Sequence, residues 1–310
     1  MTINIITYES AIESVTWSGA IDALRSGHMM ATPQVKDILL GPPDGTLLNR
    51  AAFIDGIGYG VKAVTVFDSN PAKGLDTVQG AMLVFEPNHG TLTAIIDSRL
   101  VTELKTAGDS VLGAQLLARP DSRHLLVVGA GAVARNLIRA YIAGFPSIDR
   151  VTVWARRHEQ AELLVSESQD ISVDIVAAKN LPDAVRQADI VSTATMAREP
   201  VLKAEWVSPG AHIDLIGAYK ADMREADDDL IASGSLFVDA RETTIHHIGE
   251  LMIPIASGVI SEASVKGDLY DLVQGRIGRQ SADEITIFKN GGGAHLDTMI
   301  ATYISNAMKR

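Results

Sequence analysis

The stretch His124-Leu-Leu-Val-Val-Gly-Ala-Gly-Ala-Val-Ala134 is an apolar run ending in two glycines one residue apart, with a third small residue three positions on. Each small residue has a physical task if a dinucleotide lies against the turn. Gly129 permits the tight bend, Gly131 removes a Cβ that would block a pyrophosphate, and Ala134 lets the next helix lie close to the strand. Ala130, Ala132 and Val133 complete the turn, whose helix amides would face the phosphates. About 25 residues on, a second apolar strand ends in Trp154-Ala-Arg-Arg-His158, with no acid before Glu159. A site for NAD usually carries an acid there to accept from the ribose 2′-hydroxyl. Arg156 and Arg157 instead suit a 2′-phosphate, so the pattern favours NADP(H) over NAD(H). Thr193 and Thr195, at the end of a later strand, are expected to line the same cofactor.

Three cations stand where apolar residues would be ordinary. Strand periodicity puts Lys62 on one face with Gly60, Val64 and Val66, and Arg50 on one face with Leu48, Ala52 and Ile54. A buried ammonium needs an anionic partner or a shifted pKa. Lys105 is expected in the first turn of a helix capped by Thr102, where a cation is electrostatically misplaced unless something negative is near. Taken singly, each reads as snorkelling or a structural ion pair, and Asp109 offers Lys105 a surface partner. Taken together, the three point to a carboxylate-binding site.

The elements that must position these residues fall into two rhythms. Residues 50–54, 60–67, 80–86 and 92–96 read as strands, preceded by a helix from Tyr8 to Arg25 that stops near Gly27. The joints between strands are the turn-rich Gly41–Gly45, Ser69–Gly74 and Glu86–Gly90. From Arg123 to about Asp239, strands at 125–128, 151–154, 171–176, 190–193, 212–216 and 235–238 alternate with helices, which implies a parallel sheet. The tail from Thr298 to Met308 is helical. The expectation is an α/β protein: a Rossmann-type, doubly wound domain (119–289) inserted into a smaller α+β substrate and dimerisation domain (1–118 plus 290–310). The ligand is expected in the cleft between them.

Composition narrows the classes. The 310 residues are 46% hydrophobic and 21% charged, with no cysteine, so disulfides and thiolate chemistry are excluded. Twenty-seven Lys+Arg against 38 Asp+Glu leave a net charge of −11, which disfavours nucleic acid and anionic membranes. No apolar stretch reaches the ~20 residues of a membrane span. The start, Met1-Thr-Ile-Asn-Ile, lacks the features of a signal peptide, so a cytoplasmic location is expected. His246-His247 has no further ligands at metal spacing and reads as structural, with no metal site expected. The acidic run Glu225/Asp227–Asp229 reads as a solvated helix start.

Several motifs in order carry a resemblance: Arg50, Gly60-Val-Lys62, Gly74-Leu-Asp-Thr-Val-Gln-Gly80, Leu104-Lys-Thr-Ala-Gly108, Gly129-Ala-Gly131, Pro209 through Gly217, and Asp283 through Lys289. The chain resembles the ornithine cyclodeaminase/mu-crystallin family over nearly its whole length. The resemblance implies a homodimer built through the N-terminal domain, a Rossmann domain for NAD(P), and substrate-carboxylate cations at Arg50 and Lys62. Lys105 stands where many members have arginine, keeping the charge without the fork. The cyclodeaminases carry an aspartate two residues after the glycine matching Gly217; here that position is Tyr219, a poor base that can still donate a hydrogen bond or proton. The expectation is therefore NAD(P)H-dependent reduction of a small α-imino carboxylate such as pyrroline-2-carboxylate or piperideine-2-carboxylate, with Lys62 and Tyr219 as catalytic candidates. The alternatives are an ornithine cyclodeaminase using another acid, for example Asp222, and an NADP-dependent binding protein of the mu-crystallin type.

Overall fold

The computed structural model describes residues 3–42 and 44–309. Met1, Thr2, Pro43 and Arg310 lie outside the described residues, and with them part of the N-terminal stretch and of the Gly41–Gly45 joint. The chain divides into two compact units, Met1–Lys105 with Gly293–Arg310, and Thr106–Gly292. The first division falls inside a long helix rather than at residue 118. Later turns of that helix pack in the second unit, where Gly113 lies so close to the Phe288 ring that a Cβ would collide with it.

The first unit contains β1 (Asn4–Ile6), α1 (Tyr8–Ala11), α2 (Trp17–His28), β2 (Gln34–Leu40), β3 (Thr46–Ile54), β4 (Gly58–Val66), β5 (Val78–Phe85) and β6 (Leu92–Asp97). It also holds the start of α3 (Ser98–Leu117) and the C-terminal helix Ala294–Ala307. The sheet runs β1-β6-β5-β4-β3-β2, with β1 parallel to β6 and the other pairs antiparallel. Alternation in β4 is clean: Gly58, Gly60, Lys62 and Val64 are buried and the residues between them are not. Register places Asp37, Arg50, Lys62, Met82 and Ile96 in one row across five strands. The apolar members of the buried face, among them Ile54, Val64, Met82 and Ile96, each contribute roughly 1.5–3 kcal/mol by leaving water.

The C-terminal helix packs against β3, β4, β5 and α2. Glycines allow the approach. A Cβ at Gly60 would collide with Thr298 and Met82, one at Gly27 with Met299, and one at Gly19 with Tyr303. The edge strand β2 is little covered: its Ile38, Leu39 and Leu40 are 50%, 67% and 56% exposed.

Several elements depart from the sequence expectation. The helix expected over Tyr8–Arg25 is two helices, because the Thr16 side chain accepts from the Gly19 amide and caps a new start at Trp17. The second of them ends at His28, next to Gly27 as expected. Strand β2 lacked an alternating pattern since nearly all of it is exposed. Helix α3 begins at Ser98, so Thr102 is not its cap; its hydroxyl donates to the Ser98 carbonyl, and Lys105 sits beyond the first turn.

The second unit contains β7 (His124–Val128), α4 (Ala132–Gly144), β8 (Arg150–Trp154), α5 (His158–Ser166), β9 (Asp174–Ala177), α6 (Leu181–Gln187) and β10 (Ile190–Thr193). It continues with β11 (His212–Leu215), α7 (Asp228–Ser233), β12 (Ser235–Val238), α8 (Arg241–Thr244), α9 (Gly249–Ala256), β13 (Val265–Asp268), α10 (Leu269–Val273) and β14 (Thr286–Lys289). All eight strands are parallel, in the order β13-β12-β14-β11-β10-β7-β8-β9. The order reverses between β7 and β10, which makes a switch point where ligands bind at the carboxyl ends of the strands. Register aligns those ends in one row: Trp154, Val128, Thr193, Leu215, Lys289 and Val238. Strands β13 and β14 were not anticipated, and β9 starts later than the expected Ile171.

Candidate functional site

One candidate site is a buried ionic cluster within the first unit. The Lys62 ammonium donates to Asp297 Oδ1 at 2.8 Å, and the Lys105 ammonium stands 3.7 Å from the same oxygen. Arg50 pairs with Asp37 across the β2–β3 ladder at 2.7 Å. Asp297 is fully buried in the first turn of the C-terminal helix, where a negative charge also suits the helix dipole. Its other oxygen, Oδ2, has no hydrogen-bond partner. Beside it, His28 and His295 are buried with their rings edge to face, and both are kept neutral chiefly by burial.

The Lys62–Asp297 pair shifts down the pH scale at both ends, with opposite meanings. Burial lowers Lys62 to about 8; Asp297 opposes this while Lys105 and Arg50 add to it. Burial would raise Asp297, but Lys105, Lys62 and Arg50 outweigh it and hold the carboxyl at about 2. The carboxylate faces several cations, whereas the lysine faces one anion and other cations. Arg50, Lys62 and Lys105 thus stand in one cluster with Asp37 and Asp297.

Asp297 went unnamed in the sequence because the terminal helix was expected to start at Thr298, one residue later. The signal that finds it is the pair of cations on apolar faces, which demand a nearby anion.

A second candidate site, within the second unit, lies at the carboxyl edge of the parallel sheet. Gly129 closes β7 with φ +131°, and a Cβ there would strike the Ala194 carbonyl. Gly131 caps α4 without a side-chain hydrogen bond, and the space a Cβ would fill is empty. Ala134 is buried against the sheet, while Gly131, Ala132 and Val133 are exposed and Ala130 is partly so. Open space, uncapped helix amides and an exposed valine fit a dinucleotide pyrophosphate. Arg156 and Arg157 follow β8, both exposed, with Arg157 at the start of α5.

Thr193 has no exposed surface and Thr195 is partly buried. Both hydroxyls donate to Glu225 at 2.7 Å. Glu225 corrects the reading of the acidic run: Asp227 caps α7, but Glu225 is fully buried, because five donors converge on its carboxylate and replace water. Tyr219 is 48% exposed on the turn after β11. Asp222, the alternative cyclodeaminase acid, is paired with Arg198 at 2.7 Å, which lowers its pKa. His246 and His247 are exposed, and His246 stands 3.6 Å from Glu262.

A model of the ornithine cyclodeaminase/mu-crystallin family matches residues 15–310. The chain belongs to the ornithine cyclodeaminase/mu-crystallin family. Within it, the chain is 62% identical over 304 residues to the Delta(1)-pyrroline-2-carboxylate reductase of Paracoccus denitrificans, covering 98% of this chain and 96% of that one. Among solved structures, it matches the Thermococcus litoralis Delta(1)-pyrroline-2-carboxylate reductase in complex with NADH and L-proline, with a TM-score of 0.93, 26% identity and coverage of 99% and 98%. An archaeal alanine dehydrogenase, a dimer with bound NAD, matches with a TM-score of 0.92, 29% identity and coverage of 100% and 97%.

The ionic cluster generates a pH test with a carboxylate that has no basic nitrogen, pyrrole-2-carboxylate. Lys62 is lowered from 10.5 to about 8, so its cationic form is complete well below pH 8 and is lost above it. By linkage, the penalty for burying this ammonium is relieved as pH rises through that window, so stability gains where anion binding weakens. The inhibition constant should be flat below about pH 7 and rise above pH 8, while Lys62→Arg should flatten the rise. A constant inhibition constant to pH 10 in the unsubstituted protein would contradict Lys62 as an anion ligand.

Proposed function

We propose that this chain reduces pyrroline-2-carboxylate or piperideine-2-carboxylate to the corresponding cyclic amino acid at the expense of a nicotinamide cofactor. The observation that carries this reading is the near full-length 62% identity to a pyrroline-2-carboxylate reductase. The site supports it through the cations Arg50, Lys62 and Lys105 gathered round Asp297, and through Tyr219 in place of the cyclodeaminase aspartate.

Arg50, Lys62 and Lys105 hold the substrate carboxylate and so fix the ring, converting an encounter into an oriented complex. A bound nicotinamide supplies hydride. The protonated C=N carbon accepts that hydride, the π pair becomes the nitrogen lone pair, and the amine then takes up a proton. The Lys62 ammonium stays cationic at neutral pH beside Asp297, and the Tyr219 phenol donates a hydrogen bond to nitrogen. An aspartate in that position would favour deamination of an amino-acid substrate; the exposed Asp222 is already neutralised by Arg198.

The decisive assay follows NADH and NADPH oxidation with pyrroline-2-carboxylate, piperideine-2-carboxylate, and pyruvate with ammonia or methylamine. Turnover of the cyclic imines is expected. Steady release of ammonia and proline from ornithine with NAD+, without imine reduction, would overturn the reading in favour of a cyclodeaminase. Binding of NADPH with no consumption across the panel would favour a binding protein.

The finer cofactor choice is NADP(H), supported by Arg156 and Arg157 and by the lack of an acid before Glu159. A lost charge-assisted hydrogen bond is worth about 1.5–3 kcal/mol. Arg156→Ala should therefore raise the KM for NADPH roughly tenfold or more, with the KM for NADH within about twofold. Unchanged NADPH affinity would refute the 2′-phosphate assignment.

The chain is also proposed to form a homodimer through the first unit, supported by the exposed Ile38, Leu39 and Leu40 on an edge strand that offers unpaired backbone groups. Sedimentation should show a dimer that Leu39→Asp converts to monomer. A wild-type monomer at micromolar concentration would exclude this assembly.

A further inference from the structure

Glu225 is wired in a manner that a stability role alone does not require. Its Oε2 accepts from the Thr193 hydroxyl at 2.7 Å, from the Gly217 amide at 2.7 Å and from the Ala218 amide at 3.3 Å. Its Oε1 accepts from both the amide and the hydroxyl of Thr195 at 2.7 Å. These donors belong to the end of β10 and to the two segments that follow β10 and β11. The ladder runs a little past both strands, with the Ala194 amide donating to the Val128 carbonyl and the Ile216 and Gly217 amides to the Thr193 carbonyl, and the carboxylate ties the two turns to each other where it ends.

Two further observations show that these turns are held from several sides. The Lys289 ammonium, at the end of β14 and fully buried, donates to the carbonyls of Leu215, Ala218 and Asn290, each at 2.8 Å. Glu225 thus takes amides of the turn after β11 while Lys289 takes its carbonyls. At Gly217 a Cβ would collide with the Thr195 backbone and with Glu225 itself, so the turn touches its neighbour as closely as a backbone can. Glu225 is fixed in turn by Glu250, whose oxygens accept from the Glu225 amide at 2.7 Å and the Ala226 amide at 2.9 Å.

The strand order assigns these turns to one half of the cofactor. In a doubly wound sheet, two mononucleotide-binding halves meet at the switch point. Strands β7, β8 and β9 carry the glycine turn and Arg156, and so serve the adenosine side and the pyrophosphate. Strands β10, β11 and β14 form the other half, whose carboxyl ends serve the nicotinamide side.

We propose that Glu225 is a positioning residue for the nicotinamide half of the dinucleotide: a buried carboxylate that locks the turns after β10 and β11 and leaves the adenosine half untouched. This rests on the nicotinamide-cofactor reading above. The polarity follows from the chemistry of the donors. A carboxylate accepts from all five, whereas a glutamine amide presents its NH2 to amides or hydroxyls that also donate.

The test compares affinities of the intact protein for NADH and for ADP-ribose, which lacks only the nicotinamide, by titration calorimetry. Glu225→Gln should weaken NADH at least tenfold while ADP-ribose stays within twofold, and the KM for the imino acid should move less than that for NADH. Thr193→Val removes one donor to the same carboxylate from a position with no exposed surface, and should shift NADH about threefold in the same direction. It decides the matter if the Glu225 variant does not fold. Parallel loss of both ligands would show a general structural role and overturn the proposal, as would retention of both. Where the wild type binds only NADPH, the same comparison is read with NADPH against 2′-phospho-ADP-ribose; a wild-type protein that binds none of these would overturn the cofactor reading and this proposal together, an outcome distinct from wild-type binding that the variants leave unchanged.

Discussion

A charge removed from water must find its opposite, and in the first unit that requirement organises everything around Asp297. Lys62 is buried because period-two alternation in β4 turns it to the same side as Gly60 and Val64. Without an anion it would be expelled or neutral. The anion arrives on the C-terminal helix, nearly 240 residues away in sequence (from Lys62 to Asp297, a separation of 235). Its approach depends on Gly60, Gly27 and Gly19, none of which tolerates a Cβ against that helix. The glycines, the helix position and the lysine are thus one constraint seen at three places. Removing only one partner of such a pair costs more than the pair contributes, because the other charge stays buried.

The second unit meets the same constraint differently. Its sheet ends in short strands whose last residues are in register, and the ladder stops a residue or two beyond them. Glu225 and Lys289 supply acceptors and donors to those turns, and Glu250 holds Glu225. Two carboxylates so close cannot both ionise freely: burial first, and Glu225 second, push Glu250 up to about 7, with Lys289 pulling the other way. Buried polar groups on this scale are sustained by saturation with hydrogen bonds, not by Coulomb attraction alone.

Sequence reading reached the parallel half of the fold because short apolar runs between helices have few other interpretations. It reached Gly129 and Gly131 because a backbone bend and a missing Cβ are local properties. Lys62 was legible because alternation exposes a charge in the wrong row. What escaped was relational. Asp297 lies one residue before the helix that apolar content suggested, and its role exists only opposite Lys62. Glu225 looks like any acid near a helix start, and only the strand order brings Thr193, Thr195 and Gly217 to it. Strand β2 escaped for a third reason: an edge strand with little burial has no alternation to read. Thr102 misled since a threonine that can cap can equally donate to a carbonyl four residues back, as its hydroxyl does to Ser98.

The cations gathered round Asp297 have a consequence for the sense of the reaction. Under the proposed clamp, imino acid and amino acid present the same carboxylate, and discrimination between them falls to the group that meets nitrogen. A catalyst leaves the equilibrium between them unchanged. Which way material flows is left to the ratio of reduced to oxidised nicotinamide and to proton activity, so the fold sets the rate of exchange between imine and amine while the surrounding chemistry sets its direction.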